Sequence, residues 1–200
     1  MARKYELKRR AQRQEETRQR IVEATVHLHE TVGAQGATIS AIAEQAGVER
    51  LTIYRHFPDE RSLLTACTGH YLAQHQPPDP GNWQAIADPE QCLQTALMEI
   101  YAYHRQTEAM MNSAQHDMVD LPVLRELLEP MFGYWRQVRD RLAEKFGDRY
   151  REDEERHAQI CAAIGHAVDF VTWRSLVRQQ GLEDRQAVTA MLAMVRCLAA

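Results

Sequence analysis

Three features of the sequence predict an all-α chain. No segment alternates β-branched and polar residues with the period of two that marks a half-buried strand, and glycine and proline are sparse between residues 84 and 120. Apolar residues instead recur at three- and four-residue spacing, and charged residues (26%) far outnumber aromatics (7%), the balance of amphipathic helices that each keep one face wet. Two hundred residues suffice for one or two such domains with a real core.

The chain opens with a basic arm, residues 1–16, holding Arg3, Lys4, Lys8, Arg9, Arg10 and Arg13 with hardly any apolar anchor. Disorder or a frayed helical extension is expected there. The first helix is placed at Thr17–Thr31, with Ile21, Thr25, Leu28 and Val32 on one stripe and Gly33 closing it. Two short helical patterns follow in Gly36–Phe57. Thr38 can cap the first, which buries Ile39, Ile42, Ala43 and Ala46, and Gly47 ends it by taking positive φ. The second, roughly Glu49–His56, has Ile53 and then Phe57 on its inner side and Arg50, Thr52, Tyr54, Arg55 and His56 on its outer side. Such a pair, with hydrogen-bond donors facing solvent, has the form of a helix-turn-helix that lays its second helix in the DNA major groove.

The residues Ile42-Ala43-x-x-Ala46-Gly47-Val48, then Thr52-Ile53-Tyr54-Arg55-His56-Phe57 and the leucines at 63 and 64, resemble the amino-terminal signature of the TetR family of bacterial transcriptional regulators. The resemblance covers about Thr17 to Leu64. It implies a three-helix helix-turn-helix DNA-binding domain at 17–64, a fourth helix linking it to the rest, and a larger helical ligand-binding and dimerisation domain, about nine helices in all. It also places Arg18 and Arg20 where the first helix approaches the DNA backbone. Many relatives carry a lysine that meets a phosphate where this chain has Glu60; whether Arg61 takes over that contact is left open. By chemistry, Arg50, Leu51 and Thr52 are the candidates for base edges, and Thr38, Ser40, Tyr54 and His56 for phosphates. Glu49 suits the helix dipole and repels phosphate unless it accepts from a cytosine amine.

Asp59 is a plausible cap for the fourth helix, expected to run to about Gln76, with Leu63, Leu64, Cys67 and Tyr71 inside. Pro77, Pro78, Pro80 and Gly81 mark the expected boundary, so residues 77–200 form the second domain. Within it, helical spacing covers Pro89–Gln106, a shorter segment with Met110, Met111, His116 and Met118, then Val123–Phe146. The acidic run at 151–157 opens a helix expected to continue to about Gln180, with Ile160, Ile164, Ala167, Val168 and Val171 on one stripe. The last helix, Asp184–Ala200, carries Val188, Met191, Leu192, Val195 and Leu198.

The resemblance assigns dimerisation to residues 157–200, which a reader of palindromic DNA needs. Tyr101, His104, Met111, Trp135, Phe170 and Trp173 are the candidates for lining an apolar effector site. Residues 1–57 carry 10 Lys/Arg against 7 Asp/Glu and the remainder 14 against 21, so only the front of the chain suits a polyanion. Cys67, Cys92, Cys161 and Cys197 have no ligand spacing and read as reduced, mostly buried hydrophobes. No metal site, cofactor, signal peptide, membrane span or enzymatic motif is visible, which points to a cytoplasmic protein that is not an enzyme. The expected function is a ligand-responsive repressor with double-stranded operator DNA, a small-molecule effector and a second copy as partners. The alternative is an architectural or activating DNA-binding protein without an effector.

Overall fold

The computed structural model describes residues 2–147 and 153–199, and it forms two compact units. One comprises residues up to Gln76 together with Ala109–Leu128, and the other Pro77–Glu108 together with the chain from Glu129 onward. Among the described residues there are helices and no strands.

The first unit begins with α1 (Ala2–Gly36). The basic arm thus continues α1 as helix, exposed from Tyr5 to Glu16, and the side chains of Arg3 and Lys4 lie outside the described residues. α1 does not stop at Gly33 but breaks there, at φ 78° and ψ 167°, a region closed to residues with a Cβ. Val32, expected on the inner stripe, is therefore turned out and 56% exposed, whereas Ile21, Val22, Ala24 and Thr25 are buried. The Thr25 hydroxyl donates to the Ile21 carbonyl at 2.7 Å, which lets a polar side chain sit fully inside.

α2 (Ile39–Ala46), α3 (Arg50–His56) and α4 (Glu60–Gln74) follow. The Asp59 carboxylate accepts from the Ser62 N–H while the Ser62 hydroxyl reaches back, a reciprocal cap that fixes the start of α4. Ile42, Ala43, Ile53, Phe57, Leu63 and Leu64 close a core with the inner face of α1. Val123 and Leu127 pack against that core, which is why residues 109–128 return to this unit although the sequence groups them with the second domain. They come from α7 (Glu108–Asp117) and the first turns of α8 (Pro122–Gly147). Pro130 lies inside α8, one residue past the division between units, and removes one i→i−4 bond there.

The second unit is built around α6 (Pro89–Gln106), preceded by the short α5 (Gly81–Gln84). Cys92, Leu93, Ala96, Leu97, Ile100, Tyr101 and His104 of α6 are buried against α9 (Glu154–Val168) and α11 (Asp184–Ala199). Of the acidic run at 151–157, Arg151 and Glu152 lie outside the described residues, and Asp153 caps α9 by accepting from Arg156 N–H. The single helix expected from there to Gln180 is broken at Asp169, whose carboxylate accepts from Val171 N–H at 2.6 Å. α10 (Phe170–Arg174) then runs on as a π-helical turn, Ser175–Gln179. The break turns Val171 out to 45% exposure and, with α5, raises the count from about nine to eleven α-helices among the described residues. It also leaves the last carbonyls of α9 free. Tyr101 O–H donates to Ala167 and His104 Nε2–H to Val168, each at 3.0 Å.

Candidate nucleic-acid interface

A seven-residue helix is too short to hold its shape alone, so α3 depends on what grips it. Ile53 is fully buried and Phe57, just past the end, is 3% exposed, with its N–H bonded to the Ile53 carbonyl at 2.8 Å. At the front, Gly47 takes the left-handed conformation (φ 63°, ψ 44°) and bonds to the Ala43 and Glu44 carbonyls, while Val48 N–H reaches Ala43 at 2.9 Å. The chain thereby leaves α2 and enters α3 within three residues. Thr38 holds the other end of α2, its hydroxyl accepting from Ala41 N–H at 3.2 Å. Arg20 spans from α1 to the same turn, donating to the Ala46 carbonyl at 3.2 Å. That guanidinium is thus committed to the frame.

This frame leaves Arg50, Leu51, Tyr54 and Arg55 exposed and Thr52 and His56 half-buried, along one helix. Leu51 is 67% exposed, an apolar side chain with no core to join. It fits a contact to a thymine methyl rather than to protein. Ser40 is exposed on α2, and Arg18 stacks over the Phe57 ring at 5.0 Å with Glu15 3.9 Å away. Arg61 pairs with Glu126 of α8 in the same unit, so its guanidinium is engaged within the protein. Glu49 stands at the amino end of α3 without capping it through its side chain.

In the second unit, five of the six effector candidates come together. His104 has Trp135 and Phe170 at 5.5 Å, Trp173 at 6.0 Å and Tyr101 at 6.3 Å between ring centroids. Met111 belongs to the other unit. Burial holds His104 down to about 4, only partly opposed by its bond to Val168 and by Asp169. A neutral ring donating through Nε2 leaves Nδ1 as a bare acceptor, and that atom has no partner among the described residues.

The sequence gives no sign of three residues that organise these units. Asp117 is buried and accepts from Ala34 N–H at 2.5 Å, 83 positions away; Asp184 gathers Arg105 and the Trp173 indole N–H; Glu126 takes Arg61. Long-range pairs of this kind leave no periodic signal. All four cysteines are free, but Cys161 is only half-buried and Cys197 is exposed, against the expectation of burial for most. No single helix among the described residues is long and apolar enough to cross a membrane.

An anchored short helix with an outward row of donors after a glycine turn has the form of a helix-turn-helix DNA-binding unit. Residues 21–67 match the model of the tetR family of bacterial regulatory proteins. The chain is 37% identical over 78 residues to the HTH-type transcriptional regulator SrpR of Pseudomonas putida, a match covering 36% of this chain and 37% of that protein. It is 31% identical over 73 residues to the class D tetracycline repressor protein of Escherichia coli, covering 34% of each. The chain thus matches little more than a third of the length of these two relatives. A TetR transcription regulator from Haloarcula marismortui shares the fold over 92% of this chain and 97% of its own, with a TM-score of 0.58 at 15% identity. Residues 21–67 thus carry the sequence pattern of the TetR family, and the chain shares its helical fold with that solved regulator.

Proposed function

We propose that this DNA-binding regulator is a ligand-responsive repressor: a homodimer that occupies a palindromic operator and leaves it when a small hydrophobic effector binds the second unit. The observation that carries the reading is the outward row on α3, where Arg50, Leu51 and Tyr54 are exposed while Ile53 beneath them is fully buried. Arg50, Leu51 and Thr52 read bases; Thr38, Ser40, Tyr54, His56 and Arg18 position the helix on phosphates. Arg61 joins them only by giving up Glu126, which makes it the weakest member of the set.

Dimerisation through residues 157–200 is supported by apolar side chains left uncovered there, Val171 at 45% and Met194 at 53% exposure. The aromatic cluster around His104 supports an effector site in the second unit, and the name of one matched relative, a tetracycline repressor protein, is in keeping with a small-molecule effector. An effector acts only through unequal affinity for the DNA-competent and incompetent states. A gel shift with the DNA upstream of the protein's own gene tests the reading. Sequence-specific retention at moderate salt is expected, and its absence there and at neighbouring promoters would sink it.

A further inference from the structure

The first unit contains a cavity of about 500 Å³, within the range of small-ligand sites, that the DNA-reading role does not use. Its walls are Ile39, Ile42, Phe57, Leu63, Leu64 and Leu121. Thr38, Tyr54, Asp59 and Glu60 stand at its exposed rim, and His29 lines it from inside, only 8% exposed.

Two polar groups here lack partners. Asp59 is committed to Ser62, but Glu60 makes no hydrogen bond or ion pair among the described residues. No lysine or arginine lines the cavity, so its formal charge is wholly negative. With the Cys67 thiol donating to the Leu64 carbonyl at 3.2 Å, the contact between its sulfur and His29 Nδ1 at 3.7 Å assigns the ring proton to Nδ1. Nε2 is then an acceptor, and no other hydrogen bond engages that ring among the described residues. Burial lowers the pKa of His29, with Asp117 opposing, which keeps the ring neutral.

We infer that this cavity binds a small hydrophobic amine carrying a hydroxyl, its apolar body between α2 and α4, its ammonium on Glu60 and its hydroxyl donating to His29 Nε2. Because Thr38 and Tyr54 form the same rim, occupancy and DNA binding exclude one another; that consequence alone rests on the proposed DNA contacts.

The test uses four related probes on the full chain: tyramine, phenethylamine without the hydroxyl, p-cresol without the amine, and 4-hydroxyphenylpropionate with the opposite charge. All three tryptophans, Trp83, Trp135 and Trp173, lie in the second unit, so their emission reports binding there and not here. Tyramine is expected to shift the methyl resonances of Ile39, Ile42, Leu63 and Leu121 with tryptophan emission unchanged, and to bind about fivefold or more tighter than each truncated probe. In Glu60→Gln the preference for tyramine over p-cresol should vanish, and in His29→Gln its preference over phenethylamine. Binding that moves tryptophan emission but not those methyls, selectivity that survives both substitutions, or equal binding of the carboxylate probe would overturn the inference.

Discussion

Helices α3 and α6 stand at opposite extremes of how a helix is held. α3 has seven residues and buries one of them, Ile53; α6 has eighteen and buries eight, from Cys92 to His104. An element held at one point leaves the rest of its surface free to vary, and on α3 that is the surface proposed to meet DNA. An element held along its length is fixed by the shapes of its neighbours, and many apolar combinations satisfy such packing. The frame around α3 is therefore stereotyped and its contacts individual, whereas α6 is individual throughout.

Substitutions at the two sites should expose the contrast, the largest effects coming from the frame. Ile53→Ala removes the one buried side chain within α3 and should cost about 2–4 kcal/mol in urea unfolding while abolishing DNA binding. Gly33→Ala comes next, at about 2–3 kcal/mol, because the backbone there excludes a Cβ and the new methyl would sit 3.0 Å from an Asp117 carboxylate oxygen. Relief by Asp117→Ala in the same chain would assign part of that cost to the contact.

The second unit should answer to pH instead. His104 has a folded pKa of about 4 against 6.5 unfolded, so the unfolded chain binds the proton first as pH falls. Its stabilising contribution is complete above about pH 6.5 and is lost towards pH 4, with ~1–2 kcal/mol gone at pH 5. His104→Gln, which can still donate to Val168, should flatten that slope; an unchanged slope would mean that other groups, His29 among them, carry it. Arg50→Ala is the smallest in stability, within about 0.5 kcal/mol, yet should weaken operator binding by about 1–3 kcal/mol.

The same contrast explains how much was legible in the sequence. Thr38, Gly47, Val48 and Ile53 announce themselves because a cap, a left-handed turn and a single anchor each admit few residue types. The extent of α6 at Pro89–Gln106 was also readable, since Asp88, Pro89 and a long apolar stripe mark it. The break at Asp169 was not: a carboxylate in an apolar run looks like one exposed position of a continuous helix, and only Tyr101 and His104, over 60 residues earlier, satisfy the carbonyls that the break releases. The return of residues 109–128 to the first unit escaped for the same reason, resting on Asp117 and on the packing of Val123 and Leu127. Of the effector candidates, the aromatic ones and His104 assemble because helical spacing put them on inner faces, but spacing says nothing about which unit a helix joins, and Met111 falls in the other one.

The central claim is that a buried frame presents the outer row of α3 to DNA. Selection of bound sequences from a random duplex library tests it most directly, run in parallel on the native chain and on Arg50→Ala and Thr52→Ala. The account predicts two symmetric half-sites for the native chain and relaxed preference at particular positions of each half-site for the variants, with folding unchanged. Enrichment that is identical in all three proteins would contradict it.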